Sequence, residues 1–511
     1  MDRTERIYKI QQLLKARKPL LVFRRSEGGP ETMSTLLMLY PSPSLSRLID
    51  PLQLAAEAGR PLSAHEQHRA AMAKAETLIS RLPGIRRKRE GREDQAWHWA
   101  ARARRDSRRY EGAAKWTRGR SGYGALMDRG ESGAENSTFA EHVDLFCQAA
   151  DDTVELGAVP EDLQEVLVDL ALGSPAVCAS RALRRVAPDL TPDSTAIMDA
   201  AAQIAEGFRS LFNSPDVRSM LDSGDVPYWR QVLRYCAHCD LQAALDEYIH
   251  TLKESLGLVD AASERVVKEI GKTIREVLSI RTSNLEMDEI LLDGPRPVIR
   301  KVKIRCRYAL RFADLKDESD SVLHRAGVVR DAFNSPFRPF ILASTSIGQE
   351  GLDFHGYCHR VWHWNLPQNP VDLEQREGRV NRYKGHAVRK NVARAVGLTG
   401  LAEHWSGKGD PWASLFGTAK RRLSEAGSLT SDIKPYWIFE EVEDPCRVER
   451  LVPLPPFSSE HARFKALKRS LAVYRLAFGQ PRQEDLISFL AEQGDGNAVA
   501  ALQELQLNLA P

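Results

Sequence analysis

The 511 residues are 42% hydrophobic and 28% charged, with a formal net charge of +3, too many for one ordinary core, so two to four packed units are expected. No run of about 18 apolar residues occurs, which gives no helical membrane span and an expectation of a soluble protein. Seven scattered cysteines, an odd number, argue against a disulfide framework.

The opening MDRTERIYKIQQLLKARK reads as a charged amphipathic helix without the apolar centre of a secretion signal, so a cytoplasmic location is expected. Residues 1–79 continue as a helical and mixed segment, with a short apolar run KPLLVF and a helix-like TMSTLLMLY. Residues 80–125 differ. They are dense in arginine, poor in aliphatic residues, and carry Trp97, Trp99, Tyr110 and Trp116. Two readings stay open there: a solvated, partly disordered insertion, or a nucleic-acid contact. In the second, Arg86, Arg87 and Arg89 meet phosphates while Trp97 and Trp99 stack on bases. From 136 to 290 apolar residues recur at three- and four-residue spacing, predicting a helical domain. Cys236 and Cys239 lie within that pattern, and no second pair follows at zinc-ribbon distance.

From residue 296 strand-like and helical segments alternate, which predicts a parallel sheet covered by helices over 296–400. RPVIRKVKIRCRYALRF, FILAST and RVWHWNL are its expected strands. NPVDLEQREGRVNRY is its helix, with Asn369 as N-cap and Pro370 at the first position. His355, His359 and His363 are spaced like a ligand ladder, but RVWHWNL alternates as a strand, so no metal is assigned. Residues 405–511 form a mixed extension, with PYWIFEEV as one further strand and HARFKALKRSLAVYRLAF and EDLISFLAEQG as helices.

On a continuous helix Gln375, Arg379 and Arg382 fall at i, i+4 and i+7 and share one face, with Gly378 beside it where another surface can come close. Two guanidiniums on one stripe suit a polyphosphate, because each presents a fork of donors matched to phosphate oxygens. Upstream, SIGQEGLDF follows the expected strand FILAST. Gly348 and Gly351 there let backbone amides approach an anion, and Asp353 is placed to accept a ribose hydroxyl or orient an arginine.

STSIGQEGLDFH resembles motif V of superfamily 2 helicases and translocases, and QREGRVNR resembles their motif VI, Gln-x-x-Gly-Arg-x-x-Arg. Residues 296–400 therefore resemble the second RecA-like lobe of such an enzyme. The longer run through KGHAVRKNVA, with LLMLYPSPSLSRLIDP and SLAVYRLAFGQPRQEDL, is similar to the C-terminal half of large bacterial helicase-related proteins. The resemblance implies that Arg379 and Arg382 meet the triphosphate, with Arg382 the arginine finger. Gln375 organises the nucleotide cleft, Gly351 and Asp353 line it, and Thr345 and Ser346 lie near nucleic-acid phosphates. Glu350 stands between these two sets of contacts. The implied cofactors are ATP and Mg, and the implied partner is nucleic acid, taken as DNA although no residue separates it from RNA.

A complete motor of this kind has a first lobe with a phosphate loop, Gly-x-x-x-x-Gly-Lys-Ser/Thr, and an Asp-Glu pair for magnesium. Gly271–Thr273 supplies Gly-Lys-Thr, but Val266 stands where the loop needs glycine and the surroundings read as helix. LDEYIH and MDEIL imitate the Asp-Glu pair without a buried strand before them. The expectation is the C-terminal half of a split or truncated motor, inactive without a separately encoded N-terminal helicase half. The alternative is a non-enzymatic module that binds nucleic acid or protein.

Overall fold

A computed structural model of the chain describes residues 19–82, 91–118, 133–224, 226–280, 283–291, 298–306, 320–343, 353–405, 409–429 and 431–477. The chain divides into two compact units, Met1–Ala309 and Leu310–Pro511.

The first unit is mostly helix. Its described strands are a short antiparallel pair, β1 (Arg25–Ser26) and β2 (Gly29–Pro30), and a longer hairpin, β3 (Ser283–Leu291) with β4 (Val298–Cys306). The hairpin is antiparallel, from Ser283 opposite Cys306 to Leu291 opposite Val298. It corrects two expectations. The helical run ends at Leu278 rather than 290, because Leu285 and Met287 alternate with Glu286 and Asp288 at the strand period. Val298–Cys306, expected in a parallel sheet, pairs instead with the strand just before it, and MDEIL lies inside that partner strand.

A close helix pairing explains the Gly-Lys-Thr tripeptide. Gly271 is buried in the middle of helix Ser263–Leu278, which packs on helix Thr195–Phe212. A Cβ on Gly271 would stand 2.7 Å from Ala200 Cβ, and one on Gly207 of the partner helix 3.0 Å from Leu278 Cβ. The glycine therefore serves close helix approach, and Lys272 points outward, exposed.

A buried arginine ties four other helices of this unit together. Arg181, 1% exposed, donates from Nε to Ser46 O (3.1 Å), from Nη1 to Gln242 Oε1 (2.9 Å), and from Nη2 to Ile49 O (2.7 Å) and Ala171 O (2.5 Å). Burial lowers its guanidinium pKa. These bonds meet the rule that a buried charge must be surrounded by partners.

The basic segment is also part of this core. Trp97–Arg109 and Glu111–Arg118 are helices. Trp97 is 1% exposed, with its indole donating to Gly157 O (3.0 Å), and Trp99 is 7% exposed. Trp116 donates to Asp199 Oδ1 at 2.6 Å. The base-stacking role expected of Trp97 and Trp99 is thus corrected: their rings are spent on the interior. Residues 97–109 and 111–118 are helical, so a disordered insertion does not describe that part of the segment. Arg86, Arg87 and Arg89 lie outside the described residues.

In the second unit the described sheet has two strands, β5 (Arg360–Trp362) and β6 (Glu449–Leu451), paired in parallel with Arg360 opposite Glu449 and Trp362 opposite Leu451. Helices Asp320–Phe333, Pro370–Gly378, His386–His404, Pro411–Glu425 and Glu460–Ala477 surround it in sequence. One apolar cluster joins Val388, Val392 and Val396 to Phe416, Ala419 and Leu423. A second joins Leu366 and Leu373 to Leu467 and Leu471. The large parallel sheet expected here is reduced to this pair among the described residues. Phe340–Ala343 of FILAST is not strand, with Phe340 74% and Ile341 86% exposed, and no described strand lies beside it to accept its hydrogen bonds. PYWIFEEV is irregular, and the strand forms later, at β6. No single described helix is long and apolar enough to cross a membrane.

Replacing Gly271 by alanine should lower stability to urea by about 1–3 kcal/mol through overpacking, whereas Lys272→Ala should stay within about 0.5 kcal/mol of the parent. Equal effects of the two substitutions would contradict this helix-packing role.

Candidate functional site

The Gln–Arg helix begins as its sequence dictates. Asn369 Oδ1 accepts the Asp372 N–H at 2.8 Å, and Pro370 occupies the first turn. Its end differs from expectation. The helix stops at Gly378, so Arg382 does not continue the face of Gln375 and Arg379. The backbone shows why. The N–H groups of Val380 and Asn381 both donate to Glu377 O, and Arg379 O accepts the Phe354 N–H at 2.8 Å. That carbonyl is no longer available to extend the helix. The chain then turns through Lys384, at φ 49°, with its N–H on Tyr436 O.

This turn brings the two ends of the motif region together. Arg382 Nε donates to Asp353 Oδ1 at 2.9 Å, with both side chains partly exposed, 36% and 48%. Of the two partners expected for Asp353, an arginine is the one in contact with it here. Asn334 holds the same loop, donating to Asp353 O (2.7 Å) and accepting the Gly356 N–H (3.1 Å). Arg389 donates to Gly356 O, and the His386 N–H to His355 O. Gln375 is exposed and Arg379 half-buried, with its Nε lacking a hydrogen-bond partner among the described residues. A Cβ at Gly378 would meet no described atom within 4 Å, so the surface expected to approach it is not supplied by this part of the chain. Thr345, Ser346, Gly348, Glu350 and Gly351 lie outside the described residues.

Beneath this rim lies a buried ion pair that spacing alone did not reveal. Glu377, 2% exposed, receives a two-pronged contact from Arg450 of β6, with Nη2 to Oε2 at 2.9 Å and Nε to Oε1. His363 Nε2 is 3.4 Å from the same carboxylate. Arg376 donates to Asn365 O at 2.7 Å. The helix that carries Gln375 is therefore fixed to β6 and to the segment that follows β5.

The histidines do not form a ladder. His359 faces His386 with ring centres 5.3 Å apart, while His363 is buried beside Glu377. Burial, with Arg389, His359 and Lys390 adding to it, pushes the His386 pKa down to about 4. Burial also lowers those of His355 and His359. Among the described residues no group of three or more His, Cys, Asp or Glu is arranged to hold a metal.

The two ion pairs should respond differently to substitution. Arg450→Ala leaves a buried carboxylate uncompensated and should cost about 3–5 kcal/mol. Asp353→Asn removes an exposed contact and should cost less than about 1 kcal/mol. Chemical denaturation of the two variants checks the difference, and a smaller loss from Arg450→Ala than from Asp353→Asn would contradict it.

Residues 318–384 match the family model for the helicase conserved C-terminal domain. The match runs from just before helix Asp320–Phe333 to Lys384, and so contains Asn334, Asp353, Gln375, Arg379 and Arg382. No curated protein and no solved structure matches the chain. The chain carries a helicase C-terminal domain and is a helicase-related protein.

Proposed function

We propose that this chain supplies the second RecA-like lobe of a superfamily 2 nucleic-acid-dependent ATPase, with Arg382 as the arginine finger and Arg379 beside it on the triphosphate. The observation that carries the reading is the Asp353–Arg382 contact, which joins the motif V segment to the motif VI arginine inside the matched domain. An exposed ion pair of this kind contributes little to stability. A γ-phosphate, with more charge and more acceptor oxygens, displaces Asp353 from the guanidinium at small cost. Asp353 is then left to hold a ribose hydroxyl or to steer the arginine. Gln375, Gly378 and Arg379 form a rim open to a second surface, which in this reading is the first lobe.

Phosphoryl transfer requires a phosphate cradle and magnesium ligands in addition to the arginine. ATP and Mg would bind between the lobes, with the phosphate loop and acidic pair supplied by a first lobe. This chain's residues neutralise charge on the transferred phosphoryl group and exclude water from its far side. Thr345 and Ser346 contact nucleic-acid phosphates, and Gly348, Glu350 and Gly351 border the nucleotide.

A second reading, a non-enzymatic module that binds nucleic acid or protein, is favoured by the small described sheet and by the mid-helix setting of Gly-Lys-Thr. ATP hydrolysis separates the two. The purified chain should show no DNA-stimulated hydrolysis alone, and should gain it when mixed with the product of the coding region upstream. Hydrolysis by the chain alone that survives Lys272→Ala would contradict the split-site reading. Silence in every mixture, with DNA binding intact, would favour the binding module.

A further inference from the structure

The arginines of helix Trp97–Arg109 divide between two environments. Arg102 and Arg104 turn inward, 1% and 6% exposed, and Arg108 pairs with Asp152. Arg105 and Arg109 lie elsewhere on the helix, four residues apart. Three further arginines lie at the ends of other elements, Arg81 acting electrostatically on Arg105 and Arg47 on Arg184. Arg47 is in the last turn of helix Pro43–Leu48, Arg184 in the last turn of helix Pro175–Val186, and Arg81 caps helix Ala64–Ser80. Helix Pro43–Leu48 packs against both Trp97–Arg109 and Pro175–Val186. Arg105 feels Arg109, Tyr110 and Arg81, while Arg184 feels Arg47 and the same Tyr110. Arg47, Arg81 and Arg109 are exposed, and Arg105 and Arg184 half-buried.

The carboxylates at hand are engaged elsewhere. Asp106 is fully buried and accepts from Ser42 Oγ (2.5 Å) and the Ser44 N–H (3.1 Å). Asp50 caps helix Pro51–Ala58 and pairs with Arg185 at 2.7 Å. None of the five arginines forms an ion pair among the described residues, and the buried Nε groups of Arg105 and Arg184 have no hydrogen-bond acceptor there. By contrast Arg104, Arg108, Arg118, Arg185 and Arg230 of the same unit all have carboxylate partners. Burial chiefly, and then Arg109 and Arg81, lower the pKa of Arg105 against the opposing pull of Asp106.

Helix ends explain part of this. A cation in a last turn gains from the helix dipole, which covers Arg47, Arg109 and Arg184. It does not cover two like charges four residues apart on one helix, which repel, nor guanidinium donors buried without acceptors.

We propose that this arginine face binds the phosphate backbone of nucleic acid. The choice of nucleic acid among polyanions rests on the reading of the chain as part of a nucleic-acid-dependent ATPase. Guanidinium forks match phosphate oxygens, and backbone contacts carry no sequence information. Tyr110 is 8% exposed and offers no ring to a base, so the face grips by charge alone.

The test is fluorescence anisotropy of the full chain with a short labelled DNA duplex of random sequence, without nucleotide, across a salt series. The variant R47Q/R109Q alters two exposed side chains, and R108Q, which breaks an existing ion pair, is the control. The double variant should bind at least tenfold more weakly at low salt. Its slope of log affinity against log salt should be shallower by about 0.9 for each lost phosphate contact, with R108Q unchanged. Unchanged affinity and slope in the double variant would overturn the proposal, as would an equal loss in R108Q. So would weakened binding to phosphatidylserine vesicles with DNA affinity intact. Since no ATP is present, failure of the split-ATPase reading leaves this result standing, and an unchanged slope leaves the ATPase reading standing.

Discussion

A buried carboxylate held by a guanidinium 73 residues further along the chain fixes the carboxy-terminal unit. Glu377 cannot be buried as an anion without a partner, because desolvating an ion costs several kcal/mol. Arg450 meets that demand with two parallel contacts, and β6, which carries it, is held to β5 by the pairing of Arg360–Trp362 with Glu449–Leu451. The helix end is thereby placed relative to the sheet. Once Glu377 is fixed, its carbonyl takes two N–H groups and Arg379 O meets Phe354. The turn that presents Arg382 follows from these bonds. Apolar packing of Leu373, one turn before Glu377 on the same helix face, with Leu366, Leu467 and Leu471 supports the same arrangement.

The two ion pairs near this turn are built for different purposes. Glu377–Arg450 is dry and two-pronged, so breaking it is costly. Asp353–Arg382 is wet and single, so exchanging it is cheap. A rigid base under a replaceable contact suits the proposed role of Arg382, to meet a phosphate without moving its backbone. Burial lowers the pKa values of His355, His359 and His386 beside this turn.

Sequence made some of this visible. The three- and four-residue spacing between 136 and 280 marked true helices, and Asn369 with Pro370 marked a true helix start. The Gln-x-x-Gly-Arg-x-x-Arg spacing suggested a longer helix than the one formed. Composition misled at Trp97 and Trp99. Arginine density looked like a solvent-facing strip, whereas Ala100, Ala101 and Ala103 join the tryptophans in a buried helix face. Small alanines carry weak hydropathy signals but allow close packing, and long arginine stems can line a core when their heads find partners. The β3–β4 hairpin was hidden by its acidic and basic residues, and β6 by its length of three. The Glu377–Arg450 pair left no local signal, since a contact between residues so distant in sequence exists only once the fold brings them together.

The most direct measurement is the rate of ATP hydrolysis by this chain reconstituted with the proposed first lobe, with Arg382 intact and with Arg382→Ala. If Arg382 acts on the transferred phosphoryl group, kcat falls by about 10³–10⁵ while nucleotide affinity changes only a few-fold. A variant that keeps its kcat, or whose loss lies wholly in KM, would contradict a role for Arg382 in the transition state.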